Sequence, residues 1–333
     1  MSRIVRTLIP LALATGVVAA ALPSAQAAPA APAATSQLQV IGVGVESGMA
    51  HTIRDSHGNW AGFGWLGGYD NFYGTYALDS AIVNGSNDVV FDYLAGSTHT
   101  PRMGFLIRQA DGTWLNATPP SGGAQPGDEL AVADVNGTLT LVRLQDSKFQ
   151  LATYDGTNWS AWQDVPLTGQ FRDVALTSKG GTARLVALKG DGSGFITMDR
   201  TNGTWGSPTT VPYTSPIGAP GGALRIDATQ IGDDLHVVLS DVERMYHTEQ
   251  HVNGTWDGFG DLAGVAGFVE QPVDVATAEV AGELQVVITN GNPTSGDFMF
   301  HTIRHADGSW QRFAAVGPVA GYTDSGLVTV ASQ

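Results

Sequence analysis

A short sequence motif that occurs in six copies restricts the fold of this chain more than any other feature. Its clearest copies are MAHTIRDSHGNWAGF at 49–63, MYHTEQHVNGTWDGF at 245–259 and FMFHTIRHADGSWQRF at 298–313. Each contains alternating residues, a turn rich in Gly, Asn or Asp, and a tryptophan. This pattern predicts a β-hairpin, and at Asp307-Gly308 it predicts a tight turn with φ > 0 at the central residues.

Six marker tryptophans, one in each copy, set the length of the repeat. They lie 45 to 54 residues apart, at Trp60, Trp114, Trp159, Trp205, Trp256 and Trp310. This spacing fits one four-stranded antiparallel blade per repeat, because four strands of about five residues need about that length with their turns.

The two ends of the repeat region complement each other. The first unit begins at LQVIGV, residues 38–43, and lacks a first strand, whereas an extra strand-like segment, SGLVTVASQ, follows the last hairpin at 325–333. The sequence therefore predicts an all-β fold, a six-bladed β-propeller that occupies residues 38–333 as a single domain. Its ring is closed by the C-terminal strand, which completes the N-terminal blade.

The first 37 residues are expected to lie outside this domain. Residues 1–27 have a charged start, an apolar core and an Ala-Gln-Ala cleavage site, which together predict a secretory signal peptide. Residues 28–37 are predicted to form a flexible Ala/Pro leader. We therefore expect a secreted, extracellular protein without membrane insertion, since the apolar core is too short to span a bilayer.

Composition excludes several classes of function. The chain has no cysteine, which rules out thiol catalysis and thiolate metal sites. It carries 31 acidic against 16 basic residues, a formal charge of −15. Nucleic acids and anionic membranes attract positive charge, so neither is an expected partner. No cofactor is predicted, and the oligomeric state is left open.

The marker tryptophans are the first candidate ligand-binding residues. Aromatic rings can stack on the C–H face of a sugar, and Trp60, Trp256 and Trp310 lie beside polar residues in the clearest copies. Equivalent tryptophans could instead fill the space between neighbouring blades, because every blade needs the same plug.

Histidine and arginine recur beside these tryptophans. His51, His247 and His301 share one repeat position, and Arg54 and Arg304 lie three residues further along. Both residue types can donate to sugar hydroxyls or a carboxylate, or form a hydrogen bond or ion pair with a neighbouring blade. Residues three apart point to opposite faces of a strand, so the two types are expected to meet only across neighbouring blades. The candidate ligand-binding set is His51, Arg54, Trp60, His247, Trp256, His301, Arg304 and Trp310, concentrated in units one, five and six.

A second recurrence is acidic. Aspartates fall near the starts of first strands, which line the central channel of a propeller: Asp79, Asp173, Asp227 and Asp274, with Asp134 and Asp324 as looser matches. Such a ring could hold a hard cation, supply paired carboxylates for glycoside hydrolysis, or accept backbone N–H groups at strand entries. No residue is assigned to catalysis or to a metal.

The repeat, with "HTIR", a turn, "DGSW" and an aromatic residue three positions on, resembles secreted bacterial β-propeller lectins, namely the tectonin and tachylectin-like set and the bacterial fucose-binding propeller lectins. The resemblance implies small, repeated sugar sites between neighbouring blades or near one face. The expected function is non-catalytic binding of a glycan or glycoconjugate. A glycoside hydrolase or lyase using carboxylates at the mouth of the channel, and a protein-interaction scaffold, stay open as alternatives.

Overall fold

A computed structural model describes residues 36–44, 48–66, 72–214, 224–241, 243–291, 297–321 and 326–333. The predicted signal peptide, residues 28–35 of the predicted leader, and Asp324 lie outside the described residues. Among those that are described, no helix has the length and apolar character needed to cross a membrane.

Six antiparallel sheets follow one another along the chain, and each forms one blade. Blade 1 contains β1 (Leu38–Gly44), β2 (Gly48–Arg54), β3 (Gly64–Trp65) and the C-terminal β25 (Val328–Ser332). Blade 2 contains β4 (Phe72–Val83), β5 (Ser86–Ala95), β6 (Thr100–Arg108) and β7 (Trp114–Ala117). Blade 3 contains β8 (Glu129–Asp134), β9 (Leu139–Gln145), β10 (Lys148–Tyr154) and β11 (Gln163–Asp164).

The second half of the ring repeats the plan with one addition. Blade 4 contains β12 (Phe171–Lys179), β13 (Thr182–Lys189), β14 (Gly194–Thr201), β15 (Thr204–Trp205) and β16 (Thr209–Pro212). Blade 5 contains β17 (Arg225–Ile231), β18 (Asp234–Ser240), β19 (Met245–Gln250) and β20 (Gly260–Asp261), followed by the short helix α1 (Leu262–Val265). Blade 6 contains β21 (Pro272–Val280), β22 (Glu283–Asn290), β23 (Met299–Arg304) and β24 (Ala314–Ala315), followed by α2 (Gly317–Ala320).

The predicted ring closure is confirmed. Strand β25 pairs antiparallel with β1, from Leu38 opposite Ser332 to Gly42 opposite Val328. It is the first strand in the order of blade 1, the place that β4, β8, β12, β17 and β21 take in the other blades. The last segment of the chain thereby supplies the strand that the first repeat lacks, and the two ends of the propeller are hydrogen-bonded in one sheet.

The turn residues explain two of the hairpins, and the prediction for a third is corrected. Asn84-Gly85 and Asn136-Gly137 both take positive φ at both positions, as a two-residue hairpin turn requires. At the turn of the sixth marker hairpin only Gly308 has positive φ, at 85°. The loop there is wider than predicted, since the His305 N–H donates to the Ser309 carbonyl and the Asp307 side chain accepts the Ser309 N–H.

The core is divided among the interfaces between blades. Six clusters of buried apolar side chains are present, and each joins residues of two neighbouring blades. One half-buried marker tryptophan packs against each cluster: Trp205, Trp256, Trp60, Trp159, Trp310 and Trp114 in turn. The period of the tryptophans therefore reflects one such packing position at every interface.

Candidate functional site

The histidines and tryptophans of the repeat meet across the blade interfaces. His51 of blade 1 lies edge-on to Trp114 of blade 2, with ring centroids 5.3 Å apart. The same contact joins His301 of blade 6 to Trp60 of blade 1 at 5.4 Å. At the interface of blades 5 and 6, His247 and Trp310 are again 5.4 Å apart. Each histidine thus faces the blade that follows its own, and each tryptophan faces the blade before.

Like the tryptophan of its copy, the arginine faces the preceding blade. Arg304 of blade 6 reaches back to blade 5, where its Nη2 lies 2.9 Å from Oε2 of Glu249. Since Arg304 and His301 belong to one strand and serve opposite interfaces, the predicted separation of His and Arg within a copy is confirmed. The interface of blades 5 and 6 therefore combines a His from one blade with an Arg and a Trp from the next.

Burial keeps the three histidines neutral. Burial and then the Arg108 guanidinium lower the pKa of His51 to about 4. Burial and then Arg54 lower the pKa of His301 to about 3, and that side chain is only 2% exposed. The Nε2 atoms of His51 and His301 are hydrogen-bonded to Oε1 of Gln39 and Gln285, at 3.2 and 2.9 Å. These two imidazoles are therefore held inside the interfaces by a glutamine of their own blade.

The interface of blades 4 and 5 opens into a groove of about 490 Å³. One wall is β16 of blade 4, from Thr209 to Pro212, and the other is the marker hairpin of blade 5, with Gln250, Trp256 and Phe259. Exposed Asp257 lies on the same wall. Aromatic rings with hydroxyl, amide and carboxylate groups around them form a surface that can stack on and hydrogen-bond to a polar ligand.

One wall of the groove is the outer strand of blade 4. Strand β16 pairs with β14 in the same register in which β20 and β24 pair with β19 and β23. The tryptophan contact, an isolated bridge in blades 1, 3, 5 and 6, is extended here to the two-residue strand β15. Behind the groove, Trp256 packs edge-on against Phe195 of blade 4, with centroids 5.3 Å apart. Arg184 of blade 4 donates to Oε1 of Gln250 at 2.9 Å and thereby holds that amide against the blade interface.

Blade 5 contains a second concentration of polar groups. His236 Nδ1 lies 3.0 Å from His247 Nε2, and the two rings are stacked with their planes 20° apart. Oε2 of Glu249 lies 3.6 Å from the same Nδ1, and His251 lies 3.6 Å from Oε1 of Glu249. Burial lowers the pKa of His236 to about 4 and that of His247 to about 3, with Arg304 contributing to both.

The acidic residues of the central channel bind the inner strands together. Four aspartates each accept a backbone N–H from the next blade of the ring: Asp79 from Val132, Asp173 from Ile226, Asp227 from Thr277 and Asp274 from Val328. We call these contacts the inter-blade carboxylate caps. They correspond to the backbone-anchoring alternative, one of the three left open by the sequence.

A small cavity lies among the carboxylates. Its volume is about 40 Å³, and Glu129 and Arg225 line it together with the four capping aspartates. Arg225 Nη1 donates to Glu129 at 3.0 Å. Burial raises the pKa of Asp79 and Asp173 to about 6 and that of Asp274 to about 7. A space of this size holds a few water molecules and is too small for a sugar ring.

The channel also widens into a larger polar cavity of about 400 Å³. Asp134 and Glu279 lie in its wall, and each is engaged at its own hairpin, where it accepts the N–H of Gly137 or Gly282. These carboxylates therefore stabilise turns.

Comparisons with known proteins support the fold. Neither a protein-family model nor a curated protein sequence matches the chain. Among solved structures, it is similar to the fucose-specific lectin from Aleuria aurantia, with 12% identity, a TM-score of 0.59, and coverage of 85% of this chain and 92% of the lectin. It is also similar to AofleA from Arthrobotrys oligospora, with 11% identity, a TM-score of 0.54, and coverage of 90% and 92%.

A third similar structure is TolB from Acinetobacter baumannii, with 14% identity, a TM-score of 0.55, and coverage of 89% of this chain and 66% of TolB. At these identities the similarity establishes the fold, an all-β six-bladed propeller. It leaves the function to be argued from the residues, because one propeller architecture serves different tasks.

The structure groups the candidate residues differently from the sequence. Six of the eight residues form two groups, each made of one His–Trp ring contact and one arginine. The groups are His301, Trp60 and Arg54 at the interface of blades 6 and 1, and His247, Trp310 and Arg304 at that of blades 5 and 6. His51 contacts Trp114, which was outside the set, and Trp256 lines the groove.

Sequence reasoning missed His236 and Glu249. Both stand at positions that other residue types fill in blades 1 and 6, so they do not recur with the repeat. An alignment of the six repeats to one another would have singled out His236 and Glu249, since glutamine and isoleucine occupy those positions in blades 1 and 6.

Proposed function

We propose that this protein binds carbohydrate without catalysis, through sites at the interfaces between neighbouring blades. The observation that carries the proposal is the groove between blades 4 and 5, where Trp256 and Phe259 share one wall with Gln250 and Asp257. An apolar ring face beside donors and acceptors matches a sugar, which has C–H faces and hydroxyl edges. The similar lectin from Aleuria aurantia is described as fucose-specific, so fucosides are the first sugars to test.

Within this proposal the residues of the candidate set have different roles. Trp60, Trp256 and Trp310 are half-buried and supply the ring surfaces, while Arg54 and Arg304 supply donors at the neighbouring interfaces. His301 and His247 lie behind Trp60 and Trp310 and support them through the edge-on contacts, as His51 supports Trp114. Contiguous sites around blades 5, 6 and 1 remain part of the proposal.

The carboxylate alternative receives less support. The four capping aspartates already accept backbone N–H groups, and the cavity that all four line is smaller than a sugar ring. Asp79 and Asp227 also line the larger channel cavity of about 400 Å³, where Asp134 and Glu279 likewise accept backbone N–H groups. Secretion after cleavage following Ala27 is proposed together with carbohydrate binding. N-terminal sequencing of protein collected from the culture medium tests it.

A glycan array that includes fucosides tests the binding proposal. We expect saturable hits for the wild-type protein and a loss of about 2 kcal/mol, or about thirtyfold in Kd, for Trp256→Ala, the size of effect that a central aromatic residue has at a binding site. Trp205→Ala is the matched control, since Trp205 has the same repeat position at the interface of blades 3 and 4. An array without hits, or equal affinity of the Trp256→Ala variant, would contradict the proposal.

A further inference from the structure

Three potential metal-ligand atoms converge in blade 5. His236 Nδ1, His247 Nε2 and a carboxylate oxygen of Glu249 all lie within 4.8 Å of one another. The distances are 3.0 Å between the two nitrogens and 3.6 Å from Nδ1 to Oε2. A tetrahedral zinc ion with bonds of about 2.0–2.1 Å requires ligand atoms about 3.3 Å apart, so the observed distances lie on either side of the required one.

The sheet register produces this convergence. His236 on β18 is directly opposite Glu249 on β19, and Val238 is opposite His247. Since alternate residues of a strand share a face, all three side chains project from the same face of the blade. Two neighbouring strands of one sheet therefore fix the group, and no loop has to close to assemble it.

Blades 1 and 6 show what this position contains when only packing is required. There the partners of the repeat histidines are Gln39 and Gln285, and isoleucine stands opposite each glutamine, at Ile53 and Ile303. Blade 5 replaces the glutamine by His236 and the isoleucine by Glu249. A buried carboxylate in place of a buried isoleucine costs free energy unless a partner compensates for it.

Contacts on two sides orient the carboxylate of Glu249. Glu249 is 7% exposed, and its Oε2 is buried without a hydrogen bond; Arg304 Nη2 lies 2.9 Å away as an ion-pair partner. On the other side, His251 lies 3.6 Å from Oε1. Such outer contacts orient a carboxylate ligand, in the way that second-shell groups do in metal sites.

We propose that His236, His247 and Glu249 form a binding site for one divalent transition-metal ion of the zinc class. Two imidazole nitrogens and one carboxylate oxygen are ligands that zinc prefers, and they leave a fourth position for water. His247 and Arg304 are partly exposed and give the ion a route from the edge of the interface. The proposal does not depend on carbohydrate binding.

Calorimetric titration of untagged, metal-free protein with Zn²⁺ tests the site. We expect one ion per chain for the wild-type protein. His236→Gln installs the residue of blades 1 and 6, and we expect it to weaken binding by at least about 100-fold, because even outer-shell partners of a metal ligand contribute about 10- to 100-fold. His51→Ala is the matched control, as it removes the equivalent of His247 in blade 1, and it should bind Zn²⁺ like the wild-type protein.

Titration of the wild-type protein with Co²⁺ provides a second measurement that requires no variant to fold. Co²⁺ bound in a tetrahedral site with imidazole ligands absorbs visible light intensely. Added Zn²⁺ should displace the Co²⁺ and abolish this absorption. The absence of saturable Zn²⁺ binding, a purely octahedral cobalt spectrum, or unchanged affinity in a folded His236→Gln protein would overturn the proposal. Each of these results can be obtained whether or not the glycan array gives hits.

Discussion

Asp92 illustrates how strongly a single buried residue can influence this molecule. Its side chain is fully buried on β5, and both carboxylate oxygens lack a hydrogen-bond partner within the described part of the chain. Burial, followed by the neighbouring Asp128, raises its pKa to about 8, and Arg143 opposes the shift. The folded state therefore retains a proton on Asp92 at neutral pH.

The sign of the pH effect follows from this raised pKa. The contribution of Asp92 to stability is complete below its unfolded pKa of about 3.9 and is lost as pH rises through about 8. Asp92→Asn keeps the group neutral, so we expect the variant to be close to the wild-type protein in stability at pH 4 and to be more stable at pH 9 by several kcal/mol, because each pKa unit of the shift corresponds to about 1.4 kcal/mol. Urea unfolding at both pH values measures the difference.

The control is Asp111→Asn, at an exposed turn where hydrogen bonds from Thr113 lower the pKa of the carboxyl. This variant should show no gain at pH 9. A stability difference for Asp92→Asn that stays the same at both pH values would refute the assignment of a buried, protonated carboxyl.

At the residue scale, the sequence predicted positions more successfully than contacts. The faces of His301 and Arg304 follow from strand alternation, and the structure confirms them. The partners of the repeat residues could not be predicted. Trp114, which contacts His51, and Glu249, which pairs with Arg304, come from neighbouring blades, and no local sequence pattern specifies the tilt between blades. The assignment of these residues to ligand contact stays a prediction.

At the scale of elements, the inter-blade carboxylate caps define how one inner strand is attached to the next. Asp227 accepts the N–H and the hydroxyl of Thr277 in blade 6 and the N–H of Ala228 in its own strand. We expect Asp227→Ala to cost about 3 kcal/mol in the free energy of unfolding, since it leaves buried N–H groups without an acceptor. Urea denaturation at pH 7 measures this cost.

Asp164→Ala serves as the control for that measurement. Asp164 is exposed on the outer strand β11, and its loss should change stability by less than about 0.5 kcal/mol. If Asp227→Ala is as stable as Asp164→Ala, the carboxylates of the channel are not structural, and the hydrolase alternative gains support.

The turns show why the presence of a hairpin could be predicted more successfully than the geometry of its loop. Asn-Gly forms the turns of two hairpins, because both residues tolerate positive φ. At Asp307-Gly308 the Asp side chain accepts the N–H of Ser309, which favours a wider loop with only Gly308 left-handed. The outer strand keeps one register around the ring, since Thr210 lies opposite Ile196 as Ala315 lies opposite Phe300.

For the whole molecule, the period of the tryptophans predicted six blades, and the complementary segments at 38–43 and 325–333 predicted the ring closure. Each blade has the same need to fill the interface with its neighbour, so one aromatic position repeats around the ring. The function could not be predicted in the same way, because equivalent tryptophans pack at every interface and do not show by themselves which interface binds a ligand. Within the described residues, the cluster of His236, His247 and Glu249 is a departure of blade 5 from the residues found in blades 1 and 6.

The position of a bound sugar tests the central claim most directly. A crystal structure of the protein with the strongest ligand from the array should show the sugar between blades 4 and 5, with its C–H face on Trp256 and its hydroxyl groups near Gln250 and Asp257. A sugar bound in the central channel among Asp79, Asp173 and Asp274, with the groove at Trp256 empty, would contradict the account.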